Sequence, residues 1–385
     1  MRLPVLSRRQ ALVGLAALAA APACRLIETP LAGTVKLGLV APFSGRDYQL
    51  GYNLLFAVKQ ALKEFNLAGG AQGWRVELVA HDDRNEAAAG IQQARKLTID
   101  PDVVAVIGHP GSASATAALP EYRRAGMPFL TLASADPLLD GKGGVVRLGP
   151  SDTQLAGALL DFLPRRFNAT RLAIAITDPA NGRPAEELVS QWWKAAGSVV
   201  FGDTLPREPV DYLPFASRLV ASAPEVVFYA GGIETGGPLY AEIRRIAPGL
   251  PFVASPAAAS PGFARLAAGS PTDHAYLTFP AADPVERNAP AFVQAFRAAW
   301  GLDPLPQAGL AYEATLVALA ALSQVAGGAT PPTRQAVRDV LPTLGPVPGL
   351  GGPVAFDPQG QRLGAEPAFY RLVGPRFPGE RQPLR

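Results

Sequence analysis

The chain has 385 residues, 48% of them hydrophobic and 17% charged, with a formal net charge of +3. That length exceeds one typical domain and favours two units, each able to bury its own core, and the composition excludes a disordered acidic or basic chain. Lysines and arginines stand singly or in pairs without interleaved aromatics, which excludes nucleic acid as a partner.

The first 24 residues differ from all that follow. Arg2, Arg8 and Arg9 precede an apolar run from Ala11 to Ala21, and Ala21-Pro22-Ala23 leads into Cys24. Basic, apolar and small-residue stretches in that order read as an export signal, and the run is shorter than the roughly 20 residues of a membrane span. Ser7-Arg8-Arg9-Gln10-Ala11-Leu12 is similar to a twin-arginine signal, with Ala11 in place of the usual Phe; general secretion stands beside it as the other route. Cys24 is the single cysteine, so no intramolecular disulfide can form. Its position resembles a bacterial lipobox, whose cysteine is lipidated and becomes the mature N-terminus. Ala21 and Pro22 depart from that pattern, and a chance cysteine beside a signal-peptidase site is the other reading. Residues 25–33 read as a linker or stalk, and the expected location is extracytoplasmic, with a lipid anchor on Cys24.

From Thr34 short apolar runs alternate with longer amphipathic stretches. The pattern predicts strands over Val35–Ala41, Arg75–Ala80, Val103–Ile107 and Pro128–Leu130, with helices over Gly51–Leu67, Glu86–Thr98 and Ser112–Arg124 between them. After Pro150 it predicts helix Thr153–Arg166, strand Leu172–Ile176, helix Pro184–Ala196, strand Val199–Phe201, helix Leu213–Ala221, strand Val226–Ala230, helix Thr235–Ile246 and strand Phe252–Ala254. A repeated βα succession implies an α/β protein of two doubly wound, largely parallel lobes. Helices around 289–300, 309–325 and 333–340, then short strands near 354–356 and 368–373, must complete those lobes. The expected division is residues 34–150 with 280–349 in one lobe and 151–279 with 350–385 in the other, joined by a multi-strand hinge. Trp192 and Trp193 fall inside a helix, whose period sends at least one of them into a core.

Several stretches then carry a resemblance. They are Leu37-Gly38-Leu39-Val40-Ala41-Pro42-Phe43-Ser44-Gly45, Phe65-Asn66-Leu67-Ala68-Gly69-Gly70, Gly73 to Leu78, Asp82-Asp83, Val104-Ala105-Val106-Ile107-Gly108-His109, Gly111-Ser112 and Ala125-Gly126-Met127-Pro128. Farther on come Pro224 to Tyr229, Ala311-Tyr312-Glu313-Ala314 and Gly352 to Asp357. In this order and spacing the chain resembles the leucine/isoleucine/valine-binding branch of the type I periplasmic binding proteins, from about Val35 to Val373. The resemblance implies a small-molecule solute, amino-acid-like or carboxylate-bearing, held between two lobes and handed to the permease and ATPase subunits of an ABC transporter. It implies no catalysis and no cofactor, and a monomer tethered to the membrane through Cys24.

The residues agree with such a site. Ligands of open α/β sheets bind beyond the carboxyl ends of the strands, where Gly111 and Ser112 open a helix whose N–H groups and dipole suit an anion. A helix cap is the plainer reading of Ser112. By resemblance, Ala133 to Pro137 is the segment that grips an amino-acid backbone, with Ser134 at a carbonyl position and Ala135 where the family has Thr. Asn181-Gly182 stands where the family has a Tyr before Gly, and the family's acid for the ligand ammonium is missing near Ser255 and Pro256. An unpaired ammonium in a closed cleft is costly, so other polar groups must rebuild that part of the site. Arg46, Asp47, Tyr48 and Gln49 in the loop after the first strand, and Glu234 after Ala230, are the candidates, with solvated loop charge as the alternative for each. Asp82 and Asp83 read as structural caps.

Enzyme readings find little support: there is no G-x-S-x-G and no phosphate loop, and His81, His109 and His274 are far apart. His81, Asp82 and Asp83 alternate sides on a strand and make no metal site. A receptor that uses the same closing lobes to signal to a membrane partner is the competing class.

Overall fold

The structure, a computed structural model, describes residues 32–384 except 142, 178, 207–210, 268, 328 and 374–376, and it leaves aside the side chains of 179–182 and 195–196. The export signal, Cys24 and most of the linker lie outside the described residues.

The first sheet holds β1 (Gly33–Ala41), β2 (Trp74–Asp82), β3 (Val103–Gly108), β4 (Phe129–Thr131) and β5 (Val145–Arg147) in the order β2-β1-β3-β4-β5, every pair parallel. Helices α1 (Tyr48–Leu67), α2 (Ala87–Ile99) and α3 (Ser112–Arg124) connect the first four strands. All six residues of β3 are buried, as in a strand covered on both faces.

α4 (Asp152–Phe167) opens the second lobe, its start fixed by a capping box between Ser151 and Gln154. There β6 (Arg171–Ile176), β7 (Ser198–Thr204), β8 (Val226–Ala230), β9 (Phe252–Ala254) and β10 (Ala275–Phe279) take the order β7-β6-β8-β9-β10. This repeats the first sheet's plan with strand counterparts in the same places. The connecting helices are α5 (Pro179–Ala196), α6 (Leu213–Ala221), α7 (Ile233–Ile246) and the short α8 (Gly262–Leu266).

The rest of the chain completes both lobes. α9 (Pro290–Trp300), α10 (Pro306–Val325) and α11 (Arg334–Val340) pack with α1 on one face of the first sheet. α10 is long and apolar enough to cross a membrane, but its Leu310, Ala314, Val317, Ala318 and Leu322 are buried in that core. After the hairpin β11 (Val347–Gly349) and β12 (Gly352–Val354), β13 (Ala368–Arg371) extends the second sheet antiparallel to β10, and β14 (Glu380–Gln382) pairs antiparallel with β13.

Three differences from the sequence expectation have physical causes. β5, β10 and β14 are three to five residues long, and β5 lies behind a Gly-rich stretch that masks its pattern. α5 begins at Pro179, so Asn181-Gly182 falls in a helical turn and not in a preceding loop. Val354 and Phe356, expected with the second lobe, pack into the first core, because the hairpin folds back on α10 before the chain crosses. Of the two adjacent tryptophans, Trp193 is fully buried and Trp192 is exposed, as the helical period implied.

The chain crosses between lobes at 148–151, 280–289 and 355–367. Glu313 of α10, with no exposed surface, joins these crossings: it receives Arg287 at 2.5 Å, Arg362 at 2.6 Å and the Leu350 N–H at 3.0 Å. Gln361 links the third crossing to the first, accepting from Arg147 at 3.1 Å and donating to the Gly149 carbonyl at 2.9 Å. Burial alone would raise the Glu313 carboxyl, but Arg362 and then Arg287 hold it below the usual carboxylate range. A depressed acid gives stability that is present above its unfolded pKa and lost as the pH falls through the folded one.

Glu313→Gln leaves two buried arginines without their anion and is expected to cost about 3 kcal/mol at pH 7. Urea unfolding of both proteins checks it. The gap between them should shrink below about pH 4 as the wild-type carboxyl takes up its proton.

Candidate functional site

In a 2-1-3-4-5 sheet the chain leaves the first and third strands in opposite directions, which opens a crevice at their carboxyl ends. Both sheets have this order, and their crevices face one another. A cavity of about 150 Å³ lies between them, lined from the first lobe by Arg46, Asp47, Gln49 and Leu50 after β1 and by Pro110, Gly111 and Ser112 after β3. The second lobe contributes Ala185, Ala230, and Ser255 to Ala257 with Ala259 and Ser260. Leu54, Leu132, Leu155 and Leu310 give it apolar walls.

Two loops of the first lobe are braced from behind by a cluster without exposed surface. The Asp83 carboxylate accepts from His109 Nδ1 at 2.8 Å and from the Ser114 hydroxyl at 2.5 Å, while His109 Nε2 pairs with the Tyr122 hydroxyl at 2.8 Å. A carboxylate only accepts, so Nδ1 donates to Asp83. Burial would raise Asp83, but His109 first and Ser114 next hold it low; burial raises Tyr122 well above a normal phenol. An Asp, a His and a Ser thus meet, yet Ser114 bonds the aspartate directly and all three are sealed from solvent, so nothing can reach the hydroxyl. The cluster serves position. Asp83 Oδ1 also holds the Asn85 N–H at 3.0 Å, and His109, at φ +37°, turns the chain from β3 into Gly111 and Ser112.

Asp82 steadies the neighbouring loop by accepting from Phe43 N, the Ser44 hydroxyl and Arg84 N at 2.8, 2.5 and 2.9 Å. His81 faces Gln93, so the three residues 81–83 diverge. Asp82 and Asp83 are structural, as the sequence implied, although they brace loops and do not cap α2, whose N-cap is Glu86.

Ser112 is the first residue of α3 and Gly111 is its N-cap. The Ser112 hydroxyl makes no cap: it accepts from Ala135 N at 3.2 Å and lies 3.4 Å from the Ser134 hydroxyl. A Cβ on Gly111 would lie 1.6 Å from Asn85 Oδ1, so glycine is needed for the two loops to meet. Ser134 lines the cavity, but its carbonyl, the expected ligand acceptor, already takes the Asp152 N–H at 2.8 Å.

Other candidates lie elsewhere. Ala135 is buried and turns its carbonyl to Arg147, outside the cavity lining. Tyr48 begins α1 with 47% of its surface exposed, and Glu234 sits half-buried in the first turn of α7; neither lines the cavity. The Asn181 side chain lies outside the described residues. Ser255 and Pro256 do line the cavity and bring no charge.

Besides the Ser260 hydroxyl of the second lobe, sequence reasoning missed three polar groups on the wall: Asn85, Asp152 and Gln307. Asn85 gives Nδ2 to Asp47 at 2.8 Å and leaves a buried Oδ1 without a partner, and Gln307 Oε1 is buried and unpartnered as well. No motif marks them, because they arrive from a strand-end turn, from the first crossing and from α10. The one available signal was Asp152 directly after a Ser that opens a helix.

The model of the periplasmic binding protein family matches residues 34–375. An amino acid binding protein of Pseudomonas aeruginosa is 27% identical over 322 residues, 83% of this chain and 85% of that protein. The Leu/Ile/Val-binding protein of Escherichia coli K12 is 26% identical over 221 residues, 57% of this chain and 60% of that protein, less than two thirds of its length. Among solved structures, the branched-chain amino acid transporter substrate binding protein LivJ of Streptococcus pneumoniae, in complex with isoleucine, superposes with a TM-score of 0.79 at 20% identity, covering 91% of this chain and 99% of that one. That likeness is one of fold.

His109→Ala removes the shared partner of Asp83 and Tyr122 and is expected to cost about 3 kcal/mol in urea unfolding. Amide exchange of residues 109–113 should quicken by about tenfold or more, since the loop loses its anchor.

Proposed function

The chain belongs to the periplasmic binding protein family, and from that premise we propose that it is the extracytoplasmic solute-binding component of an ABC transporter. It takes an amino-acid-like or carboxylate-bearing solute between its lobes and delivers it to a membrane permease. The observation that carries this reading is the cavity at the facing crevices of two sheets of one plan, with the start of α3 in its wall. α3 runs 13 residues, long enough for its dipole and first N–H groups to favour a carboxylate at Gly111 and Ser112. The relatives named above are amino-acid binders, which fits a carboxylate at that position.

The mechanism follows from the crossings. Solute binds one lobe, the other swings over it about residues 148–151, 280–289 and 355–367, and the permease reads the closed form. A solute drives that change only by the extra affinity that it has for the closed state. Cys24 belongs to the same proposal: lipidated after export, it would hold the protein at the membrane that contains its permease.

Screening amino acids, small carboxylates, amides and aromatic acids by thermal shift tests this reading. A true solute at 100 times its Kd stabilises the fold by about 2.7 kcal/mol and raises Tm by a few degrees. Ser112→Ala should weaken binding about fivefold to tenfold by loosening the Ala135 N–H and removing a hydroxyl from the anion site. If no solute shifts Tm, the reading fails; if Ser112→Ala leaves Kd unchanged, the anion site is misplaced.

A further inference from the structure

Gln307 is the second residue of α10, it is 8% exposed, and it lines the cavity. Its Oε1 is buried without a hydrogen-bonding partner. Its neighbours on that wall are Leu50 and Leu54 of α1 and Leu310, one turn farther along α10. An amide oxygen set among leucines with no donor costs stability that an apolar side chain of the same length would not. The start of the helix does not need it: Asn53 Oδ1 takes the Leu305 N–H at 2.8 Å, and Pro306 fills the first helical position. Asn85 Oδ1, the other unpartnered oxygen on the wall, is closed off by Gly111, whose added Cβ would lie 1.6 Å from it.

The two faces of the first sheet place Gln307 opposite the start of α3. Along β1, Leu37 and Leu39 point into the core shared with α1 and α10, and Val40 points into the core shared with α2 and α3. Gly111 and Ser112 therefore stand above one face and Gln307 above the other, with the carboxyl ends of the strands between them. A solute whose carboxylate lies at Gly111 and Ser112 directs its other end to Gln307.

The second lobe meets that end with hydroxyls. A Cβ on Gly149, in the first crossing, would lie 3.5 Å from both Leu310 and Pro280, so the Gln307 face of α10 adjoins the loop after β10. β9 pairs with β10, and Ser255 and Ser260 follow β9 into the cavity wall. Their oxygens accept from Gly231 N at 3.4 Å and from Gly262 N at 3.3 Å, and a serine hydroxyl that accepts still has its own proton to give.

We propose that Gln307 is a specificity-determining residue: it selects a solute that carries a hydroxyl or a carboxamide at the end of an apolar body, away from its carboxylate. Such a group both donates and accepts, so it pairs with the Gln307 amide in either orientation and takes a serine proton when the second lobe closes. This rests on the solute-binding reading above and adds the chemistry of the opposite end. A hydrocarbon tail of the same shape leaves the Gln307 oxygen sealed and unpaired, which is how a polar pocket rejects an analogue lacking the one group that it was built to bond.

Calorimetry on matched pairs tests it: tyrosine with phenylalanine, 4-hydroxyphenylacetate with phenylacetate, and glutamine with norvaline, each pair sharing its head and differing at its tip. The wild type is expected to bind the polar-tipped member of at least one pair about tenfold or more tightly than its partner. Gln307→Met, unbranched and close in length, is expected to lose that preference through weaker binding of the polar-tipped member, while the hydrocarbon member binds as before or better. Urea unfolding of the free variant should show no loss of stability. A packing role for Gln307 would lower the urea midpoint and weaken both members of a pair alike, and that result overturns the proposal. So does a wild type that binds the two members equally, or prefers the hydrocarbon one, in every pair that it binds; solute binding then stands. If no pair binds while the wider thermal-shift screen finds a solute, the tip assignment alone fails, and if that screen is empty both fail. The wild-type comparison needs no variant and decides alone should Gln307→Met fold poorly.

Discussion

Glu313 is a carboxylate with no access to water, and the passage of the chain between its two lobes depends on it. Its oxygens hold one arginine from the second crossing and one from the third. A buried acid between two guanidiniums has strong geometric demands: each partner must lie in plane, at bonding distance, or an uncompensated charge is left in the interior. Those demands fix where residues 287 and 362 sit relative to α10, and Gln361 carries the same constraint across to Arg147 and Gly149 of the first crossing. The crossings are thus anchored at the first lobe by charge, and the second crossing is tied to the second sheet as well, where the Tyr370 hydroxyl accepts from Asp283 N at 2.8 Å and donates to Glu286 at 2.9 Å.

The cavity inherits its shape from that anchoring. Arg147 is 2% exposed and reaches the carbonyls of Ala135 and Asp136, so the turn after β4 is held by the strand that leads into the first crossing. The Ala135 N–H then holds Ser112, and the Ser134 carbonyl holds the start of α4. On the other side, Asp83 and His109 fix the turns that carry Asn85 and Gly111. The loops that carry Asn85, Gly111, Ser112 and Ser134 are each backed by a buried bond, which is what a selective site needs: groups that do not rearrange when a solute arrives.

Much of this was legible in the sequence because it rests on periodicity. Strand β3 and helix α3 were bounded to within one residue by an apolar run, a Gly and a Ser, and the serial βα pattern implied two doubly wound lobes. The family resemblance led to Gly111, Ser112 and Ser134, which do line the cavity. What periodicity cannot carry is convergence. Asp83, His109, Ser114 and Tyr122 look unrelated along the chain and meet because parallel strands bring their carboxyl ends together. Asp152 is invisible for the same reason, since its environment comes from Ser134 and Arg147. Tyr48 and Glu234, polar residues near a strand end, stand in the first turns of helices and outside the cavity lining.

The division of labour between the lobes bears on how closure is driven. The polar groups Gly111, Ser112, Asn85 and Gln307 belong to the first lobe, and Asp152 stands at the start of the helix that opens the second. The described far wall, Ala185, Ala230, Pro256, Ala257 and Ala259, is apolar, with the hydroxyls of Ser255 and Ser260 added. On the proposed reading, the solute's carboxylate is met at Gly111 and Ser112 before closure and the rest of it is covered by closure. Moving a two-state equilibrium from 1:99 to 99:1 takes about 5.5 kcal/mol of differential affinity. Burial of about 200 Å² of apolar surface, shared between a solute side chain and that wall, supplies about 5 kcal/mol. An aliphatic or aromatic side chain of that size therefore supplies most of the differential affinity that such a shift takes.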